Sequence, residues 1–159
     1  MKPTNEKTRH TKHRRRGSVL VESALVLPMV IIFLFGIFEY GRYLMTMQLL
    51  SNAAREACRY AVSHTQPVII NSVTYGNATS DVTSKFTSML GGTTIGGQSV
   101  TVYLSDTVGA NLGTWTNAQP GQSICVRVTG NYQVCAPTLL FMSSTIPVDI
   151  KAVMRTESN

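Results

Sequence analysis

The 159-residue chain is long enough for one ordinary domain, or a small domain with an appendage, which excludes a large multidomain enzyme. Charged residues make up only 14% of it, against about 25% in soluble proteins. The formal charge of +6 lies wholly in residues 1–16, which contain seven basic residues and one acidic residue. The composition therefore predicts that much of the chain lies out of water and that its basic character belongs to one terminal segment.

Residues 18–38 are the first predicted element, an apolar run that contains one ionisable side chain, Glu22. A transmembrane helix needs about 20 such residues. Because the excess of Lys and Arg precedes the run, the positive-inside preference predicts a cytoplasmic N-terminus and an extracytoplasmic C-terminal part. The sequence thus predicts a single-pass membrane protein.

Three other interpretations of this N-terminal region are weaker. A secretory signal peptide has an apolar core of about 7 to 15 residues and a small-residue cleavage site, whereas this run is longer and continues into residues 38–42. The pair Arg14-Arg15 could belong to a twin-arginine signal, but such pairs are common before membrane anchors. The basic residues 9–16 include no aromatic side chain, so we expect no binding of nucleic acid.

Glu22 is the residue that a plain membrane anchor explains least well. An ionised side chain inside a membrane helix costs a few kcal/mol and usually has a partner. The alternative is a helix-start glutamate near the lipid headgroups, stabilised by the N-terminal helix dipole.

The residues around Glu22 carry a resemblance to a known family. A basic segment that ends in Gly17, followed by Ser18-Val19-Leu20-Val21-Glu22 and a long apolar helix, resembles the processing site of type IV prepilins and pseudopilins. Residues 17–28 and 35–42 are similar to the TadE-like family of minor pseudopilins in the tight-adherence (Tad/Flp) type IVb pilus system of bacteria, and residues 146–157 resemble the way these proteins end.

This resemblance implies cleavage after Gly17 by a membrane aspartyl prepilin peptidase. Ser18 would become the first residue of the mature chain and Glu22 its fifth. The new α-amino group on Ser18, with a reference pKa near 8, can pair with the carboxylate of Glu22 in a helix bundle, which offsets the burial of both charges and sets the axial stagger of the helices.

The resemblance also implies function and partners. We expect incorporation by helix bundling into a Tad/Flp pilus or its assembly base, in support of pilus biogenesis and adhesion. The implied partners are the prepilin peptidase, other Tad pilins or pseudopilins, the inner-membrane assembly platform and membrane lipid. Ser23 stands where the major Flp pilins have tyrosine, and the C-terminal part is larger than in those short subunits. We therefore expect a minor subunit. The alternative is an uncleaved single-pass anchor that displays a small β-rich binding domain.

The helix is predicted to extend beyond the membrane, over residues 18–65 with a span at about 18–40. Apolar and small residues recur at helical spacing beyond the span, which predicts one buried face: Tyr43, Met47, Leu50, Ala54, Ala57 and Ala61. This face packs either on the chain's own C-terminal domain or on a partner. At the membrane exit, an interfacial anchor is predicted from four residues, Glu39, Tyr40, Arg42 and Tyr43.

Residues 66–159 change in composition to Thr, Ser, Val, Gly and Asn, which predicts strands and turns in an extracytoplasmic domain. Alternating apolar residues predict strands at 100–104, 124–134 and 146–154, and residues 68–75 are an edge strand or an ordered loop. Ser80 is predicted to cap a short helix that ends near Leu90. Together with a cytoplasmic leader over residues 1–17, the sequence predicts an α+β, pilin-like fold, with a long N-terminal helix packed against a small antiparallel sheet.

Three cysteines, Cys58, Cys125 and Cys135, lie beyond the predicted span, so one disulfide is feasible and one thiol must stay unpaired. A bridge between Cys125 and Cys135 requires a hairpin with its tip at residues 129–131. If residues 124–134 form one strand instead, the two cysteines lie roughly 33 Å apart. The alternation of residue types suits both arrangements, and the family resemblance favours the long strand.

The sequence predicts no catalytic residues, no metal site and no cofactor. Two of the three histidines, His10 and His13, lie in the leader, and the third, His64, lies near the end of the helix. There is no HExxH or CxxC motif, and the paired glycines at 91–92 and 96–97 lack the lysine of a phosphate-binding loop.

Overall fold

A 50-residue helix, α1 (Arg14–Ser63), dominates the computed structural model, which describes residues 14–65, 68–70, 73–75, 78–138, 140 and 142–156. At 1.5 Å per residue, α1 is about 75 Å long. Its first half carries apolar side chains on every side, which predisposes it to an apolar environment rather than to one protein surface. Pro28 lies inside this half.

The remaining elements form a small α+β domain, so the predicted fold class is confirmed. A hairpin of two short strands and one helix precede a four-stranded antiparallel sheet whose strand order is β4-β3-β5-β6. A 3-10 helix, Trp115–Asn117, connects β4 to β5. The elements are β1 (Val68–Ile70), β2 (Val73–Tyr75), α2 (Thr79–Met89), β3 (Gly96–Ser105), β4 (Asn111–Gly113), β5 (Ser123–Gln133) and β6 (Thr145–Arg155).

The second half of α1 packs on the inner face of this sheet. The predicted helical face is buried from Leu50 to Ala61, and it meets the alternate β5 residues Ile124, Val126 and Val128 in one hydrophobic core. Tyr43 and Met47 extend the same face and are partly buried. The sequence left open whether this face packs on the chain's own C-terminal domain or on a partner, and in the structure it packs on the chain's own domain.

Two contacts show that β5 runs antiparallel to α1 along the helix axis. Near the end of α1, the Cys58 thiol donates a hydrogen bond to the carbonyl of Ile124 at 3.3 Å. Nearer the apolar half, the Tyr132 hydroxyl donates to the Glu39 carboxylate at 2.7 Å. The helix covers about 28 Å between these contacts and the strand about 26 Å. The two elements therefore run side by side over nearly equal lengths. The β5–β6 connection therefore lies beside the apolar half of α1, and the β3–β4 connection lies at the far end of the domain.

The region of residues 68–75 differs from the single edge strand or loop that we expected. Strands β1 and β2 pair with each other as a separate antiparallel hairpin. Ile70 is opposite Val73 in the register, which leaves only residues 71 and 72 for the connection. A two-residue connection is the commonest way to join antiparallel strands.

The prediction that Ser80 caps α2 is wrong. The helix begins at Thr79 after Ala78, which makes no side-chain capping hydrogen bond. Ser80 thus lies inside the first turn, and Thr79 before it accepts a hydrogen bond from the Trp115 indole N–H at 3.1 Å, which ties the first turn of α2 to the core. The hydrophobic side of α2 agrees with expectation, since Val82 and Phe86 are buried.

Close packing at the alanines of α1 generates a test of the fold. Ala57 is fully buried, so Ala57→Leu forces extra atoms into the hydrophobic core and should lower the free energy of unfolding by about 1–3 kcal/mol. The matched control is Arg59→Leu, because Arg59 is exposed on the same part of α1. Urea unfolding of the full chain in detergent micelles measures both variants, and equal midpoints for them would contradict the packing described.

Candidate functional site

The predicted processing residues lie in the first two turns of α1. Gly17 is exposed, and no other part of the described chain lies within 4 Å of the position that a Cβ would take there. The backbone of Ser18 is helical, and its side chain is outside the described residues. Glu22 is exposed on the next turn. The Gly17–Ser18 peptide bond and the Glu22 carboxyl group are therefore both open to a membrane enzyme or to another subunit.

An exposed apolar surface surrounds Glu22. Between residues 19 and 38 the large hydrophobic side chains of α1 face outward, and the best 18-residue window has a mean hydropathy of 2.5 with none of it buried. A helix of this length and composition can cross a membrane. The exposed surface ends where the β5–β6 side of the domain reaches the helix, close to Glu39.

At this point five residues form what we call the exit cluster: Glu39, Arg42, Tyr43, Tyr132 and Cys135. Its centre is the hydrogen bond from the Tyr132 hydroxyl to Glu39, between a tyrosine that is 3% exposed and a carboxylate side chain that is 12% exposed. Hydrogen bonds to a charged acceptor are stronger than neutral ones. The bond therefore attaches the C-terminal end of β5 to α1 at the point where the apolar half of the helix ends.

Arg42 completes the cluster on its open side. Its guanidinium lies 3.5 Å from Glu39 and 5.6 Å from the centroid of the Tyr132 ring, and it also contacts the Cys135 sulfur. Since the Arg42 side chain is half exposed, its ion pair contributes no more than about 1 kcal/mol. The Tyr43 ring meets the Tyr132 ring edge-on, with centroids 5.4 Å apart. Aromatic and charged contacts thus hold Tyr132 from both sides.

Burial and the hydrogen bond to Glu39 raise the pKa of Tyr132 to about 12, from an ordinary value of 10. The neutral phenol is therefore favoured in the folded chain more than in the unfolded chain. The Tyr132 hydroxyl stays a donor to Glu39 at every physiological pH.

The structure brings three of the four predicted interfacial residues together, and it separates the fourth. Glu39, Arg42 and Tyr43 meet in the exit cluster, whereas Tyr40 is 64% exposed and lies on the open side of α1. Sequence reasoning missed Tyr132, which it treated only as an alternating strand residue. A usable signal was present, because a buried tyrosine usually needs a partner for its hydroxyl.

Of the two arrangements considered for Cys125 and Cys135, a hairpin or one continuous strand, the structure has the continuous strand. Strand β5 is continuous from Ser123 to Gln133, so Cys125 lies near one end of it and Cys135 beyond the other. All three thiols are free, and Cys58 and Cys125 are fully buried. Burial raises the pKa of Cys58 to about 11, so this thiol is a core residue rather than a reactive one.

Nothing in the described part of the chain groups three His, Cys, Asp or Glu side chains where they could hold a metal ion. The strongest ion pair outside the exit cluster is Arg127 with Asp149, at 2.7 Å across neighbouring strands. Both side chains are exposed, and the pair lies on the outer face of the sheet as a cross-strand contact.

Comparison with known proteins agrees with the resemblance. Residues 17–59 match the family model described as TadE-like protein. The match begins at Gly17, covers the whole exposed apolar surface, and includes the α1 residues of the exit cluster. No curated protein and no solved structure matches the chain. The N-terminal segment is thus TadE-like, which is consistent with a component of a Tad pilus, and its apolar helix is consistent with a membrane anchor.

The Tyr132–Glu39 bond predicts both a stability loss and a pH dependence. Tyr132→Phe should lower the free energy of unfolding at pH 7 by about 1–3 kcal/mol, because the partly buried carboxylate loses its donor. Because the pKa of Tyr132 is raised to about 12 in the folded state, its contribution is complete below about pH 10 and is lost as the pH rises through 12. The difference between parent and variant should therefore shrink over that range.

Urea unfolding of the full chain in micelles at several pH values measures this difference. The control at pH 7 is Tyr40→Phe, which should stay within about 0.5 kcal/mol of the parent because Tyr40 is exposed. A gap between parent and Tyr132→Phe that widens above pH 10 would be incompatible with the assigned hydrogen bond.

Proposed function

Since residues 17–59 form a TadE-like segment, we propose that this protein is a minor pseudopilin of a tight-adherence pilus. The observation that carries the proposal is the match itself, which starts at the predicted cleavage glycine and ends within the helix that packs on the domain. In this proposal, residues 1–17 are a cytoplasmic leader that is cleaved, residues 18–65 are the long helix, and residues 66–159 are the extracytoplasmic domain. The chain resides in the bacterial inner membrane until it is assembled.

Accessibility of the Gly17–Ser18 bond supports processing by a prepilin peptidase. The bond lies in the first turn of a helix that extends from Arg14, so a protease has to unwind that turn before cleavage. Gly17 makes unwinding easier, because glycine is about 1 kcal/mol less favourable than alanine inside a helix. No described atom outside the helix's own backbone lies within 4 Å of the position of a Cβ on Gly17.

Cleavage changes the charge of the helix terminus in the direction that assembly needs. Removal of residues 1–17 takes away the whole formal charge of +6, which would otherwise hold the N-terminus on the cytoplasmic side. It also creates an α-amino group on Ser18, four residues before Glu22 and so on the same face of the helix. In a bundle, this amine and the Glu22 carboxylate of a neighbour neutralise each other within the apolar surface.

The exposed half of α1 supplies the bundling surface in this proposal. Its large hydrophobic side chains are covered by lipid before assembly and by other pilin or pseudopilin helices afterwards. The described residues of the domain leave most of this surface uncovered, because β5 is attached to α1 at Glu39 and the Leu140 side chain reaches back only to Gly36. The chain therefore takes part in pilus biogenesis and adhesion as a structural subunit.

The first prediction from this proposal concerns the mature N-terminus. In cells with an active prepilin peptidase, mass spectrometry should find Ser18 as the first residue. Gly17→Leu should abolish that product because the larger side chain stands at the cleavage site. The matched control is Gly41→Leu, since Gly41 is also an α1 glycine with no atom within 4 Å of an added Cβ. An intact leader on the parental chain would support the uncleaved anchor instead.

The second prediction concerns Glu22. Glu22→Leu should still be inserted and cleaved, but its incorporation into pili should fall by at least tenfold, the factor that about 1.4 kcal/mol represents. Val26→Leu is the control, because Val26 is another exposed residue of the same apolar surface. The measurement is the amount of mature subunit in sheared pilus fractions relative to the membrane fraction. Parental incorporation of Glu22→Leu would rule out the charge pair while leaving the cleavage result unaffected.

A further inference from the structure

The connection between β5 and β6, which we call the β5–β6 loop (residues 134–144), is unusual in composition. None of its residues carries a formal charge, and residues 139–142 read Leu-Leu-Phe-Met. Within the described part of the loop, Met142 is 50% exposed, although a connection on the surface of a soluble domain is normally polar.

Two backbone hydrogen bonds and one side-chain contact position the described residues Leu140 and Met142 of the loop. The Leu140 N–H donates to the carbonyl of Ala136 at 3.2 Å, and the Met142 N–H donates to the carbonyl of Pro137 at 3.0 Å. The Leu140 side chain reaches the helix at Gly36, where its Cδ2 lies 3.9 Å from the position that a Cβ on Gly36 would occupy. Leu140 is therefore placed beside Gly36 along the axis of α1.

Gly36, and with it the Leu140 side chain, lies at a position inside the apolar run of residues 18–38. Gly36 lies two residues before Phe38, the last residue of the run, which corresponds to about 3 Å along the helix. When residues 18–38 span the bilayer, Leu140 lies at the outer edge of the hydrocarbon region, where apolar side chains of surface-bound segments are buried. Phe38 and Tyr40 are both exposed on α1 near the same height, so the apolar surface of the helix continues to the level of the loop.

The opposite end of the domain differs in its charge and hydrogen bonding, although Val108 there is an exposed apolar residue. In the β3–β4 connection, the Asp106 carboxylate accepts hydrogen bonds from the backbone N–H groups of Val108 and Ala110. At the same end, Gln122 accepts a hydrogen bond from the N–H of Gln119 before β5 begins. These connections follow the ordinary polar pattern of surface turns. The β5–β6 loop, which has no charged residue, lies instead at the end that meets the apolar half of α1.

We propose that the β5–β6 loop is a second membrane contact, seated through Leu140 and Met142 in the headgroup region of the outer leaflet. The occupant of this surface is phospholipid, because its height matches that of the bilayer edge and its residues offer no charge to a polar partner. The loop and α1 together fix the orientation of the sheet on the membrane. The inference rests on the membrane span in the proposed function, but not on cleavage or on pilus assembly.

Lipid-borne quenching of an added tryptophan tests this seat. The full, uncleaved chain is placed in nanodiscs at one copy per disc, with phosphatidylcholine brominated near the carbonyl end of its acyl chains. Met142→Trp should add emission that this lipid quenches, and Ser143→Trp, at the next exposed position, is the second reporter. The matched control is Val108→Trp, at an apolar residue 82% exposed on the far end of the domain, and the buried Trp115 provides a common background in all variants.

The expected result is loss of the added emission at Met142→Trp or Ser143→Trp in brominated discs, with little change for Val108→Trp. Quenching of both loop reporters by aqueous acrylamide as strongly as Val108→Trp, without quenching by the lipid, would overturn the inference. Protection from both quenchers would also overturn it, because the loop would then be covered by protein. Since the chain keeps its leader, any of these outcomes is independent of whether Ser18 is found as a mature N-terminus.

Discussion

The close approach of α1 to β5 is the constraint on which the rest of the structure depends. Four buried alanines, Ala53, Ala54, Ala57 and Ala61, keep the side-chain bulk of the helix small, so that the domain can pack closely on it. In the same core, β5 supplies branched side chains at alternate positions, and the long contact fixes the strand antiparallel to the helix axis. Once this contact is set, both ends of the sheet have defined heights on α1.

The contact between α1 and β5 ends near Glu39, and the surroundings of the helix differ on the two sides of this residue. Beyond Glu39, toward the C-terminus, α1 has one buried face, and Tyr40, Leu44 and Met45 are exposed on its other side. Before Glu39, the large hydrophobic side chains are exposed except for the partly buried Ile32, and Leu140 contacts the helix at Gly36. The hydrogen bond from Tyr132 and the ion pair with Arg42 satisfy the Glu39 carboxylate at the boundary, so the charged groups there are paired within the chain rather than left for lipid.

Much of the architecture could be predicted because it depends on local pattern. The apolar run, the helical face that includes Leu50 and the alternation of β5 each reflect one periodicity, and each agrees with the structure. The errors involve tertiary contacts without a local signal. At the start of α2, Thr79 is hydrogen-bonded to Trp115, which lies far along the chain, and the three-residue strand β4 is too short to show an alternation.

The candidate site divides in the same way. Glu39, Arg42 and Tyr43 could be found from their position at the end of an apolar run, since that rule needs only the sequence. Tyr132 could not be assigned to them, because its distance from α1 depends on the register of the whole sheet. The two arrangements of Cys125 and Cys135 were equally compatible with alternation, and only the continuous pairing of β5 with both neighbours distinguishes them.

The free energy of burying the loop side chains in the membrane determines how far the β5–β6 loop can affect the position of the protein. Full burial of a side chain such as Leu140 or Met142 is worth about 1.5–3 kcal/mol, and Met142 is already half covered. The apolar half of α1 exposes many such side chains, so the helix alone determines whether the chain stays in the bilayer. The loop is too weak to act as an anchor, but a few kcal/mol is enough to select one orientation of the domain over others. In the proposed function, withdrawal of the helix into a bundle would also remove the loop from the membrane, at a further cost of a few kcal/mol.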